Sequence, residues 1–512
     1  MDADSLPDPK ALLHRAHVYL RRGEHDRAID ALTEAIEADS TDADLYFLRA
    51  NAHAGRGAFA AAAEDFSAAI GLQSDFAAAF HNRGMAHADL GRDDEAVTDF
   101  TEAIRLAPDD PDPLNGRGVV HARRENYPDA LLDFDAAIDL DPNAPRVWFN
   151  RANAHAAIGE VEKALADYDV AIERHPQFSR AYLYRGLLHA RGKNVEAAIQ
   201  DYSTALRLDP QLAEAFFHRG RAYAEIGDQL QAVADLNRAI ALEPGNAAAL
   251  NLRGIARAEA GELELAVADF TAALGVNADD YGALFNRGLT HLRQTDLKAA
   301  FDDFSAAVDL RPDDDSIRLY RGGVADDLGD TATALADCDA VLTRAPDNAQ
   351  AHLQRGLIRR KLGDKDGALA DFDDAVRLDP ANPATFNLRA SVHYARGDYA
   401  AAVADHQRAL ALEPDDPATH NYLAWILATC LDASVVDGPR AVGDAERCCE
   451  LTDWSKPGLL DTLATAYASA GRFEDAIKWE RAAIEKAPPD EREEYERRLA
   501  LFEAGEAYRE QS

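Results

Sequence analysis

Residues 77–110 read AAAFHNRGMAHADLGRDDEAVTDFTEAIRLAPDD, and the skeleton of this stretch returns at every shift of 34 residues. Numbering the unit from Ala77, place 8 holds Ala16, Ala50, Gly84, Gly118, Ala152, Gly186, Gly220, Gly254, Gly288, Gly322, Gly356 and Ala390 with no insertion. Place 20 is alanine in all twelve copies, from Ala28 and Ala62 to Ala368 and Ala402. Apolar and small residues recur at helical spacing in two blocks, Ala78 to Leu90 and Glu95 to Leu106. Gly91 stands between them, where a left-handed residue ends a helix without a Cβ penalty. Pro108 follows the second block and cannot continue it. The unit is therefore predicted to be a helical hairpin.

Glycine inside a helix costs about 1 kcal/mol relative to alanine. Eight of the twelve copies accept that cost at place 8, so the missing Cβ must serve something, and close approach of two helix axes is the expected reason. One hairpin cannot bury its apolar stripe alone; stacked hairpins bury it against each other.

A 34-residue hairpin with small residues at places 8, 20 and 27, an aromatic at place 24 (Phe66, Phe100, Phe134, Tyr168, Tyr202) and proline at place 32 resembles the tetratricopeptide repeat. The resemblance covers residues 9–490. It implies an all-α, right-handed superhelical α-solenoid of about fourteen hairpins closed by a C-terminal capping helix. The expected organisation is a polar N-terminal tail (1–8), twelve contiguous units (9–416), a hairpin with an expanded turn (417–456), a further unit (457–490) and the capping helix with its tail (491–512). The turn of the thirteenth hairpin is expected from Leu431 to Arg440, with its second helix from Ala441 to Leu451. Hairpins 1, 2 and 8 lack the closing proline (Ser40, Ser74 and Ala278 instead), so softer junctions are expected there. The terminal stretch, with CELTDW, LDTLATAYASAG and AGEAYRE, resembles a module of bacterial tetratricopeptide proteins.

The 512 residues carry 91 acidic and 54 basic side chains, a formal charge of −37. That balance argues against a nucleic-acid backbone as partner, which needs clustered Lys and Arg. Four cysteines, none in a CxxC pair, point to a reducing compartment. The opening MDADSLPDPK is acidic and polar, so no signal peptide is expected, and no apolar run reaches membrane length. The expectation is a cytoplasmic monomer that takes no cofactor and no metal.

Two charges repeat with the period. Place 7 is arginine in all twelve regular units, and place 23 is aspartate in eleven. Opposite charges on helices that must pack predict a ladder of Arg–Asp pairs. Seven units carry histidine at place 11 (His53, His87, His121, His155, His189, His291, His393). Spacing of 34 residues leaves each without companion ligands, so a structural role, bonded to a nearby acceptor, is expected ahead of metal; a pH-sensing role is the alternative. Cys430, Cys448, Cys449 and His420 match no metal-ligand spacing. Trp148, Trp425, Trp454 and Trp479 are expected to pack.

The resemblance implies that the first helix of each hairpin lines a concave groove through places 2, 5, 9, 12 and 13. Place 5 then supplies Phe149, Leu183 and Phe217 as apolar pockets for a peptide. Asn150 at place 6 and Asn153 at place 9 are candidates to hydrogen-bond its backbone. Arg146, Arg180, Arg191 and Arg221 form a local basic patch within an acidic chain, suited to an acidic or C-terminal carboxylate segment. No GxSxG, P-loop, HExxH, dinucleotide or kinase signature occurs. The expected function is a non-catalytic protein–protein interaction scaffold with a protein or peptide partner. The alternatives are a regulatory or substrate-recruiting subunit of an enzyme assembly, such as a kinase or glycosyltransferase, and a self-assembling structural element.

Overall fold

The computed structural model describes residues 9–510; the tail expected over residues 1–8 lies outside them, as do residues 511 and 512. Among the described residues there are twenty-nine α-helices and no strand, so the expected all-α solenoid is what forms. The chain divides into two compact units, Met1–Ala260 and Gly261–Ser512. In each, a helix packs chiefly on its neighbours in sequence.

The third hairpin shows how the sequence builds one repeat. Its helices run Ala77–Asp89 and Asp93–Leu106. Gly91 turns between them at φ +72°. Asp93, Asp94 and Glu95 fill the first turn of the second helix, where negative charge meets unpaired backbone N–H groups. The Ala107 N–H bonds the Ala103 carbonyl at 2.8 Å as the helix ends. Hairpins without proline close alike: the N–H groups of Asp39, Gln73 and Asn277 each bond the carbonyl four residues back at 2.9 Å. The junctions expected to be soft therefore end their helices in the same way.

All twelve place-20 alanines are fully buried. The place-8 glycines have a more specific reason than bare approach of two backbones. A Cβ on Gly118 would stand 2.6 Å from the Phe134 ring, and one on Gly288 2.7 Å from Phe304. At Gly84, Gly118, Gly186, Gly288 and Gly356 the glycine opens a seat for the aromatic of place 24, and those rings are among the most deeply buried side chains.

The charge ladder forms. Arg49, Arg83, Arg117, Arg151, Arg185 and Arg219 in the first unit each bond both carboxylate oxygens of the aspartate sixteen residues on, from Asp65 to Asp235. Arg287, Arg321, Arg355 and Arg389 do so with Asp303, Asp337, Asp371 and Asp405 in the second. Distances for Arg117 and Asp133 are 2.9 and 2.7 Å. These carboxylates are buried, and the hydrogen bond donated to Asp raises the arginine pKa above its ordinary value at Arg49, Arg219 and Arg389. The other face of the guanidinium reaches backwards: Arg117 Nη1 donates to Thr101 of the preceding hairpin at 3.0 Å, as Arg83 does to Ser67 and Arg185, at 2.6 Å, to Asp169. Arginines such as Arg117 and Arg185 thus tie their own hairpin shut and fasten it to the one before.

Beyond residue 416 the pattern changes. The helices of the thirteenth hairpin run Pro417–Thr429 and Gly438–Leu451, so the expanded turn is shorter than expected and the second helix begins three residues before Ala441. The Asp437 carboxylate caps it by accepting from the Arg440 N–H at 3.1 Å. Gly438 lies against the end of the next first helix, where an added Cβ would sit 2.5 Å from the Ala470 backbone nitrogen. Helices Pro457–Ser469 and Phe473–Lys486 follow, then Arg492–Glu503, which buries Tyr495, Arg498 and Phe502. After it the chain turns back: the Glu510 N–H bonds the Thr429 carbonyl at 3.1 Å, and Trp425 Nε1 donates to the Glu510 carboxylate at 2.7 Å.

Candidate partner-binding face

The first helices of hairpins 5, 6 and 7 span Pro145–Ala157, Ser179–Arg191 and Ala213–Glu225, all within the first unit. Arg146 and Arg180 occupy place 2, Arg221 place 9 and Arg191 place 13 of their repeats. Intervals of seven and four residues put these places on one helical stripe. All four are exposed. Among the described residues none of them makes an ion pair or a hydrogen bond, although the ladder arginines beside them are fully engaged. Arg221 also acts on its surroundings: His218 is pushed down to about 4, first by burial and then by the Arg221 charge. That histidine therefore stays neutral and leaves the arginine as the local cation.

The apolar residues expected in the groove behave otherwise. Leu183 is fully buried in a cluster with Val195, Tyr202 and Ala215, so it presents no surface to a ligand. Phe149 is half-buried, with its ring 5.8 Å from Tyr168, 4.9 Å from Phe178 and 5.5 Å from Tyr184, the last edge-on. Phe217 is also half-buried and packs near Leu236 and Ala239. Place 5 thus looks inward at the place-24 aromatic of its own hairpin; Phe47 on Phe66 (5.7 Å) and Phe285 on Phe304 (6.0 Å) repeat the contact. Within the described first helices, the large apolar groups left exposed stand at places 6 and 9: Met85, Val119, Tyr320 and Tyr422.

The two asparagines are partly committed. Asn150 Nδ2 donates to Asn115 Oδ1 at 2.8 Å, linking the first helices of hairpins 4 and 5, and Asn82 does the same to Asn51 at 2.9 Å. Asn153 Oδ1 accepts from the Tyr168 hydroxyl at 2.5 Å, which leaves its amide N–H groups for another acceptor.

The histidine row meets the ladder. His53, His121, His155, His189, His291 and His393 each hold Nε2 3.8–3.9 Å from the aspartate of the ladder, and His87 stands at 3.1 Å. Most of these separations are longer than hydrogen bonds, contrary to the bonded role expected, and burial pushes the His53 pKa down. His155 also sits 2.6 Å from a second carboxylate, Glu160, and His393 3.6 Å from Asp398. Among the described residues no cluster of His, Cys, Asp and Glu is arranged for a metal ion. All four cysteines are free and buried, and burial pushes Cys338 and Cys449 up to about 12. Among the described residues no helix is long and apolar enough to cross a membrane.

A comparison with curated protein sequences finds no match. Solved structures do resemble the chain. YrrB, described as a tetratricopeptide repeat protein with an unusual peptide-binding site, is 26% identical over 35% of this chain and 93% of its own, with a TM-score of 0.33. The Cut9–Hcn1 hetero-tetramer of APC/C gives 14% identity over 90% of this chain and 96% of that one, TM-score 0.38. PilF of Pseudomonas aeruginosa is 23% identical over 42% and 97%, TM-score 0.37. The tetratricopeptide repeat family profile matches residues 13–75, 47–111, 81–145, 115–177, 149–213, 217–274, 254–315, 321–383 and 387–429. With the period, the hairpins and the family profile in agreement over most of its length, the chain belongs to the tetratricopeptide repeat family.

Proposed function

We propose that this chain is a non-catalytic interaction scaffold whose first-helix face in hairpins 5 to 7 docks an acidic or C-terminal carboxylate segment of a protein partner. Hairpins 1 to 12 (residues 9–416) serve as the presenting array, and residues 417–512 as its closing block. The observation that carries the reading is the set Arg146, Arg180, Arg191 and Arg221: four exposed guanidinium groups on one stripe, unpaired in a chain with 37 excess negative charges. An arginine that finds no internal carboxylate where carboxylates abound is available for an external one, and its planar fork suits two oxygens at once. Asn153 adds free amide donors on the same stripe. Four buried, free thiols support a reducing compartment, hence the cytoplasm.

The test pairs affinity capture and mass spectrometry with mutation. Partners recovered by the intact chain are measured against Arg180→Ala/Arg221→Ala, which leaves the ladder untouched. Loss of both guanidinium groups is expected to weaken at least one partner about tenfold or more, with binding that falls as salt rises. Equal affinity of every partner for the two proteins would remove the patch from the function.

A further inference from the structure

Place 9 faces outward on the first helices and carries a side chain in eleven of the twelve regular hairpins: His17, Asn51, Met85, Val119, Asn153, Leu187, Arg221, Ile255, Leu289, Leu357 and Ser391. In hairpin 10 it is Gly323, directly after the place-8 Gly322. The two glycines differ in kind. Gly322 is buried against the second helix of its hairpin, whereas a Cβ on Gly323 would meet only the Gln354 amide nitrogen, at 3.3 Å. The helical backbone here needs no positive φ, so the glycine serves what stands in front of it: the Gln354 amide and the space beyond.

That space is a cavity of 620 Å³ bordered by the first helices Tyr281–Arg293, Asp315–Asp327 and Ala349–Lys361 of the second unit. Its volume falls within the ~300–1,000 Å³ of ligand pockets. Leu319 and Val324 contribute to its apolar wall. Gln354 is pinned by its amide, which donates to the Leu319 carbonyl at 3.0 Å. Tyr320 is 43% exposed, yet its ring is held, 5.6 Å from Phe304 in a stack and 5.4 Å from Phe285 edge-on. Asp315 and Asp327 supply two carboxylates, and no Lys, Arg or His lines the cavity. Asp315 is bonded to Arg344, while Asp327 is exposed and has no partner among the described residues.

We propose that this cavity is a preformed subsite for one cationic side chain, arginine or lysine, of a basic peptide partner. The aliphatic stem lies along Leu319 over Gly323, and the charged head lies against the Tyr320 ring within reach of Asp327. An aromatic face fixed by its neighbours attracts a cation without paying to be ordered. An unpaired carboxylate with no competing internal cation supplies the sign. A side chain at place 9 would occupy the room for the stem, which accounts for the glycine. The subsite lies in the other unit from the arginine patch and prefers the opposite charge, so the two readings stand or fall separately.

The probe is acetyl-Ala-Leu-Arg-Leu-Ala-amide, with its lysine counterpart and the neutral, isosteric citrulline counterpart, titrated calorimetrically into the full chain. Salt is held at ~150 mM so that diffuse attraction to the acidic surface is screened beyond about 8 Å. At least one charged peptide is expected to bind saturably at one site, with citrulline weaker by about tenfold or more. Gly323→Leu places there the residue that hairpins 6, 9 and 11 carry at the same place, and is expected to abolish binding while leaving circular dichroism unchanged, the Gln354 amide giving by a few tenths of an ångström. If that variant melts early, Tyr320→Ala and Asp327→Asn carry the test instead, each expected to weaken binding by about tenfold. The proposal is overturned if neither charged peptide binds saturably, if citrulline binds equally, or if the folded variants bind as the parent does.

Discussion

Arg117 shows what one periodic charge does. Its fork closes on both oxygens of Asp133, and Nη1 reaches Thr101 in the hairpin before. Truncation by Arg117→Ala leaves the Asp133 carboxylate, only 6% exposed, without a countercharge. Breaking such a pair from one side costs on the order of 3 kcal/mol, whereas Thr101→Val removes one hydrogen bond worth about 1 kcal/mol. Because a long repeat array need not unfold in one step, the readout is local. Amide exchange in residues 77–140 should accelerate strongly for Arg117→Ala and slightly for Thr101→Val. Equal protection in both variants would mean that the ladder decorates the hairpins without holding them. The Arg and Asp rows were legible because each repeats one residue type every 34 positions. The third partner was not, since place 25 varies among Thr33, Ser67, Asp135, Asp169 and Asn237 and only a shared hydrogen-bonding capacity unites them. Leu183 was misplaced for another reason: an apolar residue on a helix stripe has the same signature whether it lines a groove or fills a core, and only the ring facing it decides.

At the scale of the element, the terminal block departs furthest from the repeat, and its departures centre on helices Pro457–Ser469, Phe473–Lys486 and Arg492–Glu503. Arg498 Nη1 lies 2.7 Å from both oxygens of the buried Asp461. Glu480 is fully buried beside this pair, and no donor faces its carboxyl. Burial first, and then the Asp461 charge, push it from an ordinary 4.5 up to about 10. Held protonated, it can donate to Asp461. The folded block therefore keeps a proton that the unfolded chain loses near its ordinary pKa, and stability declines as pH rises from about 4.5 towards about 10. At neutral pH this penalty is on the order of 3 kcal/mol. Glu480→Gln preserves the shape and a donor while needing no proton. It is expected to raise the unfolding midpoint of the block near pH 8 and to flatten its pH dependence, followed by the fluorescence of the stacked Trp454 and Trp479. A lowered midpoint at pH 8 would show that the carboxyl is charged and paired in the fold. None of this was visible in sequence, where Asp461 and Glu480 look like ordinary polar positions on amphipathic helices. The return of Glu510 to Trp425 was equally hidden, because a contact spanning 85 residues leaves no periodic trace.

For the chain as a whole, the decisive quantity is the imbalance of 91 acidic against 54 basic residues, together with where the charges sit. All eleven place-23 aspartates are out of solvent, and bidentate arginines neutralise those from Asp65 to Asp235 and from Asp303 to Asp405. The excess therefore lies on exposed surface, in residues such as Glu64, Asp109 and Glu496. Exposed like charges repel across water and are screened within about 8 Å at physiological salt; buried pairs are screened much less. Added sodium chloride should relieve the repulsion without loosening the ladder. Raising it from about 20 to about 500 mM is expected to lift the melting midpoint by a few degrees. Arg117→Ala should start lower and rise by a similar increment, because its loss is local and the repulsion is collective. A midpoint that falls with salt would mean that exposed pairs such as Arg15 with Glu34 and Arg497 with Glu493 outweigh the net repulsion. Such pairs are worth only about 0–1 kcal/mol each in water, too little to reverse the sign set by 37 uncompensated charges.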